Sequence, residues 1–246
     1  MLSKSDVKYI QSLAHKKYRD QEGVFIVEGV KMINELISFF PERIVQIFAR
    51  KIWIDQHGQM LKNTTNLVLI EQFELEKISF LKTPNEVLAL VSMVQLNNLN
   101  QPSSGITVVL DQLQDPGNLG TIIRSCDWFG IKNIVCSVDT VDAFSPKVVQ
   151  ASMGSILRLN VFYKKLSDFF SEHKLLPVYS AELAGESVYD VDFIQPSILI
   201  IGNESKGVSP EVAHFATRHV MIPRIGMAES LNAAVAASII LSCMSK

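Results

Sequence analysis

The segment at residues 114–130 (QDPGNLGTIIRSCDWFG) places an asparagine, a glycine and an arginine on one predicted helix, three residues after the apolar run Ile106–Leu110. Gly120 and Arg124 are one helical turn apart and therefore share a face. A glycine inside a helix costs stability, so it is typical of a position that another group approaches closely. We therefore predict that Asn118 and Arg124 serve a ligand. The alternatives are that Asn118 only caps the helix and that Arg124 is only an exposed charge.

A second polar segment, residues 200–211 (IIGNESKGVSPE), also follows an apolar run. Gly202 ends that run, and Glu204 falls in a glycine-bounded turn, where it can serve a ligand or bind the backbone amides of its own loop. Ser209 precedes a proline, which predicts the cap and the first residue of a helix. The glycine spacing differs from the GxxxxGK[ST] phosphate loop and argues against nucleoside triphosphate binding.

A third polar segment, residues 222–244 (IPRIGMAESLNAAVAASIILSCM), begins where another apolar run ends. Ser230 is predicted to cap the following helix, and Asn232 to lie in its first turn. Because asparagine is a mediocre residue just inside a helix, Asn232 is predicted to reach outward. The alanines favour close packing of this helix on another element.

The apolar runs around these segments predict a parallel β-sheet, because continuous Val, Ile and Leu runs are typical of strands covered on both faces. The runs are Ile106–Leu110, Asn133–Val138, Leu175–Tyr179, Ile198–Ile201 and Val220–Ile222. Helical segments such as Ser145–Met153 separate them. Ligands of such sheets bind beyond the carboxyl ends of the strands, which is where the polar segments are placed.

The first hundred residues predict a second, smaller α/β domain. It has a predicted helix over Ser5–Tyr18, a second over Gly29–Phe40, and four β-type runs at Val24–Val27, Ile44–Ala49, Leu67–Ile70 and Val87–Val91. Polar, turn-forming residues around 97–105 (NNLNQPSSG) predict a linker. We place the domains at residues 1–98 and 106–246, with a linker at 99–105.

The composition favours a soluble, cytoplasmic, globular protein. Of 246 residues, 48% are hydrophobic and 20% are charged, which suits a chain with a real core. The first ten residues lack the apolar core of a signal peptide. The longest apolar stretch, Leu231–Met244, is too short to cross a bilayer, so no membrane association is predicted.

Charge and cysteine content limit the possible partners. With a net charge of −2, a nucleic acid would have to be bound by a local basic patch. The best candidate is the run His15–Arg19 (HKKYR), for which a solvated helix end is the alternative. Cys126, Cys136 and Cys243 lack the spacing of zinc ligands and are predicted to be small buried hydrophobic residues, so neither a metal site nor a disulfide is expected.

Together, the three polar segments resemble the motifs of one family. NLGTIIRSCDWFG, IIGNESKGVSPE and IPRIGMAESLNAAVAASIIL are similar, in order and spacing, to those of the SpoU (TrmH-like) branch of the SPOUT RNA methyltransferases. KKYRDQEGVFIVEGVKMINELI resembles the family's RNA substrate-binding domain. The resemblance implies an α/β fold with a deep trefoil knot in the C-terminal domain and an L30e-like α/β domain in front of it.

The resemblance also implies an activity. It points to a homodimer that binds S-adenosylmethionine and methylates a ribose 2′-hydroxyl in ribosomal or transfer RNA, with ribosomal RNA favoured by the accessory domain. The implied active-site positions are Asn118, Arg124, Glu204, Ser230 and Asn232. The positions implied to hold the cofactor through main-chain groups are Gly202, Ile222 and Leu231.

Two positions depart from the family pattern, and one role stays open. Gln150 stands where many members have arginine, and Asn85-Glu86 stands where a Gln-Gly pair is common, so the RNA contacts are expected to differ. In the family Arg124 is discussed as a base for the hydroxyl. Arginine rarely loses its proton, so holding a phosphate or an oxyanion is the simpler role. A minor role as base remains for Glu204.

Two other functions are compatible with parts of the sequence. A Rossmann-type nicotinamide enzyme would use the glycine turn and Asp139, 19 residues after Gly120. The GNLG turn lacks the G-x-G-x-x-G fingerprint, however, and the second and third segments have no role in such an enzyme. A non-catalytic RNA-binding protein that retains only the fold is the remaining alternative.

Overall fold

The computed structural model describes residues 1–63, 66–94 and 105–246, so the predicted linker lies outside the described residues except for Gly105. The helices, in chain order, are α1 (Lys4–Ser12), α2 (Lys16–Glu22), α3 (Val30–Phe39), α4 (Lys51–His57), α5 (Gln72–Ile78), α6 (Pro116–Trp128), α7 (Pro146–Ser152), α8 (Leu166–Glu172), α9 (Pro210–Ala213) and α10 (Ala233–Met244). The strands are β1 (Val24–Glu28), β2 (Ile44–Ala49), β3 (Leu67–Leu69), β4 (Val87–Ser92), β5 (Ile106–Leu110), β6 (Asn133–Cys136), β7 (Asn160–Tyr163), β8 (Val178–Ser187), β9 (Ser197–Ile201) and β10 (Arg218–Met221).

The first of two compact units consists of Met1–Gln95 together with Phe144–Leu157. Its sheet has the strand order β1-β4-β2-β3, with β4 antiparallel to both neighbours and β3 parallel to β2. α7 packs against the edge strand β1, and the ring of Phe144 lies 5.0 Å from that of Phe25. The unit therefore takes in a piece of chain from the second half of the sequence.

The second unit consists of Leu96–Ala143 together with Arg158–Lys246. Its sheet has the order β10-β8-β9-β5-β6-β7, and every pairing is parallel, as the continuous apolar runs predicted. The central strands β5 and β9 are buried along their whole length, which requires cover on both faces. β7 was not among the predicted runs.

The predicted N-terminal helix over Ser5–Tyr18 is wrong as a single element, because α1 ends and α2 begins within it. The buried guanidinium of Arg19 explains the break. It donates to the carbonyl oxygens of Leu13 and Ala14, at 2.6 and 2.8 Å, and so satisfies main-chain acceptors at the end of α1. Arg19, part of the basic run predicted to meet RNA, is thus a structural residue.

Cys126 and Cys136 are fully buried in the second unit, as predicted. Burial raises the pKa of both thiols, which makes the reactive thiolate scarce at neutral pH. Cys243 is half-buried and reduced. Across the described ranges, no helix is both long and apolar enough to span a bilayer.

Candidate functional site

The three polar segments leave the sheet of the second unit at one edge. We name them loop one (residues 111–118), loop two (residues 202–209) and loop three (residues 222–232). They follow β5, β9 and β10, and because all strand pairings in this sheet are parallel, the carboxyl ends of these strands face the same way. Ligands of α/β proteins bind at this edge.

Loop one ends in the N-terminus of α6, and the alternative reading of Asn118 as the cap of this helix is wrong. Asn118 is not the cap residue. Asp115 is, and its Oδ1 accepts a hydrogen bond of 2.8 Å from the backbone N–H of Asn118. Pro116 occupies the first helical position, where no N–H is needed. The side chain of Asn118 is therefore available for other partners, although the residue is only 8% exposed.

The carboxylate of Glu204 binds loop two to loop one. Its Oε1 accepts hydrogen bonds from the backbone N–H of Asp115, at 2.9 Å, and from Nδ2 of Asn118, at 3.1 Å. Its Oε2 accepts from the backbone N–H of Gln114 at 3.2 Å. Glu204 thus acts as an anionic acceptor for three donors at the start of α6, where the helix dipole also favours negative charge.

These contacts determine the charge state of Glu204. Partial burial alone would raise the pKa of its carboxyl group. The hydrogen bonds from Asn118 and from the backbone N–H groups of Asp115, Glu204 itself and Gln114 together outweigh that effect, so the pKa lies below its ordinary value. At neutral pH Glu204 is an ionised carboxylate and a weak base.

Asn232 joins loop three to the same cluster. Its Nδ2 donates a hydrogen bond of 2.8 Å to Oδ1 of Asn118. Its Oδ1 accepts from the backbone N–H groups of Ala234, at 2.9 Å, and Val235, at 3.3 Å, which makes Asn232 the N-cap of α10. The prediction that Ser230 caps this helix is wrong, since Ser230 lies two residues before the cap and is exposed.

Loop two has a closely packed main chain. A side chain on Gly202 would overlap the backbone of Gly207 and Val208, so only glycine fits there. Asn203 exchanges two main-chain hydrogen bonds of 2.9 Å with Gly207, and its Nδ2 donates to the carbonyl oxygen of Gln112 in loop one at 2.7 Å. The loop is thereby held in one shape against its neighbour.

Two residues that support this arrangement were not singled out from the sequence. The first is Asn203, described above. The second is Asp111, which is 2% exposed and whose Oδ2 accepts a 2.7 Å hydrogen bond from the backbone N–H of Ser209. Ser209 precedes α9 as predicted, but its side chain makes no capping hydrogen bond. A buried aspartate directly after a strand was the available clue, because a buried carboxylate requires hydrogen-bond donors.

Loop three presents main-chain groups to its surroundings. Between Ile222 and Leu231, no backbone–backbone hydrogen bond connects these residues to any other part of the described ranges. Ile222 is half-buried and the side chain of Leu231 is 47% exposed. The N–H and C=O groups of this stretch are thus without main-chain partners in the described ranges, which is compatible with the main-chain binding implied for Ile222 and Leu231.

Arg124 is exposed on α6 and forms no hydrogen bond or ion pair with any residue that the structure describes. One turn further along the helix, the side chain of Trp128 is 85% exposed. α6 packs on the alanine-rich α10, where Ser125 and Ser238 share a hydrogen bond of 2.7 Å. The structure thus brings Asn118, Glu204 and Asn232 into direct contact. Arg124 and Ser230 are exposed and form no hydrogen bond with these three residues.

Within residues 1–63, 66–94 and 105–246, no group of three or more His, Cys, Asp or Glu side chains is arranged to hold a metal ion.

Comparison with known families gives two matches that together cover most of the chain. Residues 105–242 match the SpoU rRNA Methylase family, and residues 4–89 match the MRM3-like substrate binding domain. An uncharacterised tRNA/rRNA methyltransferase from Synechocystis is 30% identical over 243 residues, which span 96% of this chain and 88% of the relative.

A second relative and a solved structure are similar along nearly the whole chain. The 23S rRNA (guanosine(2553)-2′-O)-methyltransferase RlmP of Bacillus subtilis is 28% identical over 241 residues, which span 96% of this chain and 94% of the relative. The crystal structure of an AdoMet-bound rRNA methyltransferase from Sinorhizobium meliloti superposes with a TM-score of 0.87 at 30% identity, covering 99% of this chain and 95% of that one.

Proposed function

Since the chain belongs to the SpoU rRNA methylase family, we propose that it transfers the methyl group of S-adenosylmethionine to a ribose 2′-hydroxyl of ribosomal RNA. The observation that carries this proposal is the hydrogen-bonded cluster of Asn118, Glu204 and Asn232. It unites the three loops at the edge of the sheet where a cofactor and a substrate can meet. The names of the relatives, which include a 23S rRNA 2′-O-methyltransferase, support ribosomal RNA as the target.

The cluster prepares the site by fixing side-chain orientation. Glu204 and Asn232 bind opposite ends of the Asn118 amide, the first as acceptor and the second as donor. The amide therefore has one defined orientation before any substrate arrives. Positioning of reacting groups can lower a barrier by roughly 7–11 kcal/mol in favourable cases. We assign Asn118 and Asn232, with Ser230, to orienting the ribose and the cofactor.

Bound S-adenosylmethionine would supply a methyl group activated by a positively charged sulfur, and the chain would bind and orient it. The main-chain groups of Gly202, Ile222 and Leu231 are the proposed contacts. Arg124 would hold a phosphate of the RNA or the developing negative charge on the ribose oxygen, because its guanidinium is exposed and without a partner among the described residues.

The division of labour follows the two family matches. We propose that residues 1–98 bind the RNA and that residues 106–246 perform the chemistry, in the trefoil-knotted arrangement implied by the family resemblance. We also propose a homodimer formed through the second unit, because Trp128 and Val235 are exposed on the packed helices α6 and α10. A dimer would cover this apolar surface.

Glu204 is expected to act by position rather than as a base. Glu204→Gln replaces one carboxylate oxygen by an N–H₂ group that faces N–H donors, so the loops lose one of the two acceptor atoms that join them, together with the negative charge. Methyl transfer should then fall about 10²-fold, the scale of a small misplacement of reacting groups. The pH profile of the remaining activity should parallel that of the wild type. Initial rates measured from about pH 4 to 9, a range that extends into the titration of a carboxyl group, test this.

The control for this change is Glu211→Gln, at an exposed position near the start of α9, which should leave the rate unchanged.

The lowered pKa of Glu204 also makes the free energy of unfolding depend on pH. The ionised carboxylate stabilises the folded protein above the ordinary carboxyl pKa, and this contribution is lost as the pH falls below about 4.5. A variant that loses an acidic limb of the wild-type pH profile would instead identify Glu204 as the base.

The proposed activity is tested with purified full-length protein and radiolabelled S-adenosylmethionine. The substrates are ribosomal RNA and transfer RNA extracted separately from cells that lack the gene, and the methylated nucleotides are then mapped. We expect label at a ribose 2′-oxygen of ribosomal RNA.

Other outcomes are equally informative. Label in transfer RNA alone would contradict the assignment to ribosomal RNA. Binding of S-adenosylmethionine without transfer to either RNA would favour the non-catalytic RNA-binding alternative. Equilibrium dialysis that detects NAD but no S-adenosylmethionine would favour the nicotinamide enzyme and overturn the proposal.

A further inference from the structure

Three loops of the first unit converge at one end of its sheet. β1 and β2 both end there and β4 begins there, because Glu28 pairs with Leu88 and Ala49 pairs with Val87. The backbone N–H of Gly29 donates to the carbonyl oxygen of Val87 at 3.2 Å. The start of α3, the start of α4 and the segment before β4 are therefore neighbours.

Main-chain contacts fix the segment before β4 against the other two loops. The backbone N–H of Arg50 donates to the carbonyl oxygen of Glu86 at 3.0 Å. On the other side, Nδ2 of Asn85 would lie 3.5 Å from a Cβ on Gly29, whose φ of 106° is one that other residues rarely adopt. Segment 79–86 thus lies across the ends of β1 and β2.

A buried carboxylate sets the shape of this segment. Glu28 is 5% exposed and accepts hydrogen bonds from the hydroxyl of Ser79 and, at 2.8 Å, from the backbone N–H of Phe80. The Ser79 hydroxyl in turn accepts from the backbone N–H of Leu81 at 3.1 Å. Burying a carboxylate costs free energy unless its oxygens accept hydrogen bonds. The hydrogen bonds to Glu28 therefore hold segment 79–86 in place.

Four cations project from these three loops. We call them the basic sheet end: Lys31, Arg50, Lys51 and Lys82. The three lysines are exposed and Arg50 is half-buried. None of the four forms an ion pair or a side-chain hydrogen bond with another residue of the described ranges. Of the neighbouring acidic residues, Glu28 is buried three residues before Lys31. Glu35, Asp55 and Glu86 each follow one of the three lysines by four residues, without an ion pair to it in the described ranges.

The basic run His15–Arg19, predicted from the sequence to bind nucleic acid, has fewer exposed and unpaired cations than its composition indicates. Lys16 pairs with Asp20 at 2.5 Å within α2. Arg19 is 2% exposed and holds the carbonyl groups at the end of α1. Of the run His15–Arg19, only Lys17 remains as an exposed and unpaired permanent cation among the described residues.

We propose that the basic sheet end binds the sugar–phosphate backbone of RNA, an inference that rests on the proposed RNA methyltransferase function. Unpaired cations on a main chain of fixed shape suit phosphate contact, since binding then has to order only their side chains. The net charge of −2 excludes binding by the overall field of the protein, so a local cluster must serve. Asn85-Glu86, the pair that departs from the family pattern, lies in segment 79–86 together with Lys82.

The test compares two full-length triple variants with the same change in charge. One replaces the exposed lysines of the basic sheet end (Lys31→Gln, Lys51→Gln and Lys82→Gln). The other replaces three lysines around the predicted run (Lys8→Gln, Lys16→Gln and Lys17→Gln). Filter binding measures the affinity for protein-free ribosomal RNA from 50 to 200 mM KCl. Isothermal titration measures S-adenosylmethionine binding, and methyl transfer is assayed on the same RNA.

The first variant should bind RNA at least tenfold more weakly at 100 mM KCl than wild type. The slope of log affinity against log salt should become shallower by about 2, because each lost phosphate contact removes roughly 0.7–0.9 from it. Its S-adenosylmethionine affinity should be unchanged. The second variant should change RNA affinity by less than about threefold, a margin set by the ordinary scatter of surface charge effects.

The outcomes separate this inference from the function on which it rests. Wild type that transfers no methyl group to RNA would refute the proposed function. Wild type that is active, with equal losses in both variants or no loss in the first, would overturn the basic sheet end as the RNA contact. If the first variant binds and methylates protein-free RNA normally but methylates ribosomal particles poorly, the surface binds a ribosomal protein. The inference is wrong in that case too.

Discussion

Replacement of Gly202 by alanine or valine is expected to abolish S-adenosylmethionine binding. The added Cβ would overlap the main chain of Gly207 and Val208, so loop two cannot keep its shape. The main-chain groups beside Gly202 would move, and Glu204 would lose its position on loop one. A ligand held by main-chain atoms is sensitive to this kind of change, and we expect no heat of binding in isothermal titration.

Two control variants show whether the effect comes from backbone shape. Gly226→Ala adds the same methyl group in loop three, where a Cβ meets nothing within 4 Å, and should bind the cofactor normally. Leu231→Met changes a side chain that is 47% exposed and leaves the main chain intact, so it should also bind normally. Circular dichroism tests whether Gly202→Ala remains folded. Normal binding by that folded variant would remove Gly202 from the cofactor site.

Arg124→Lys is expected to lose about 10²–10³ in methyl-transfer rate, the scale seen when one preorganised donor is removed from an active site. Lysine keeps the charge but lacks the planar pair of donors that matches a phosphate or an oxyanion. Arg124→Ala should lose more. Because Arg124 forms no bond to the cluster of Asn118, Glu204 and Asn232 in the described structure, cofactor affinity should be unchanged in both variants.

The pH profile decides between the two roles of Arg124. If it holds charge, the profile of Arg124→Lys should parallel that of the wild type. If it removes the proton of the hydroxyl, lysine becomes neutral more readily, and the rate of the variant should rise steeply toward about pH 10. Arg218→Lys, at a partly exposed arginine 3.5 Å from Glu186, is the matched control and should retain full activity. Rescue of Arg124→Lys at high pH would restore the general base.

The sheet of the second unit was predictable because burial leaves a local mark on the sequence. β5 and β9 are covered on both faces, and their runs of Val, Ile and Leu show it. The pattern does not reveal β7 (Asn160–Tyr163), because only its two central residues, Val161 and Phe162, are buried, and the residues at both ends carry polar groups. Short edge strands carry less of this pattern.

The chemistry of the cluster was predictable by residue type but not by role. Capping preferences are local, and they indicated Ser230 as one cap and Asn118 as an alternative for the other. The caps in the structure are Asn232 and Asp115. The hydrogen bonds that define the roles join residues 86 and 114 positions apart in the chain. No periodicity encodes such a distance, and only the sheet that brings the loops together makes the contacts possible.

The packing of α7 against β1 has a consequence for synthesis on the ribosome. The first unit is not complete when residue 95 has been synthesised, because α7, which packs against the edge strand β1, belongs to Phe144–Leu157. The ribosome must add about 60 more residues before this segment is complete. At ordinary rates of translation that delay is roughly 3–12 s. During this time the β1 side of the nascent chain is uncovered, with the ring of Phe25 lacking Phe144. Chaperone contact during translation should therefore concentrate in this interval and end as residue 157 leaves the exit tunnel.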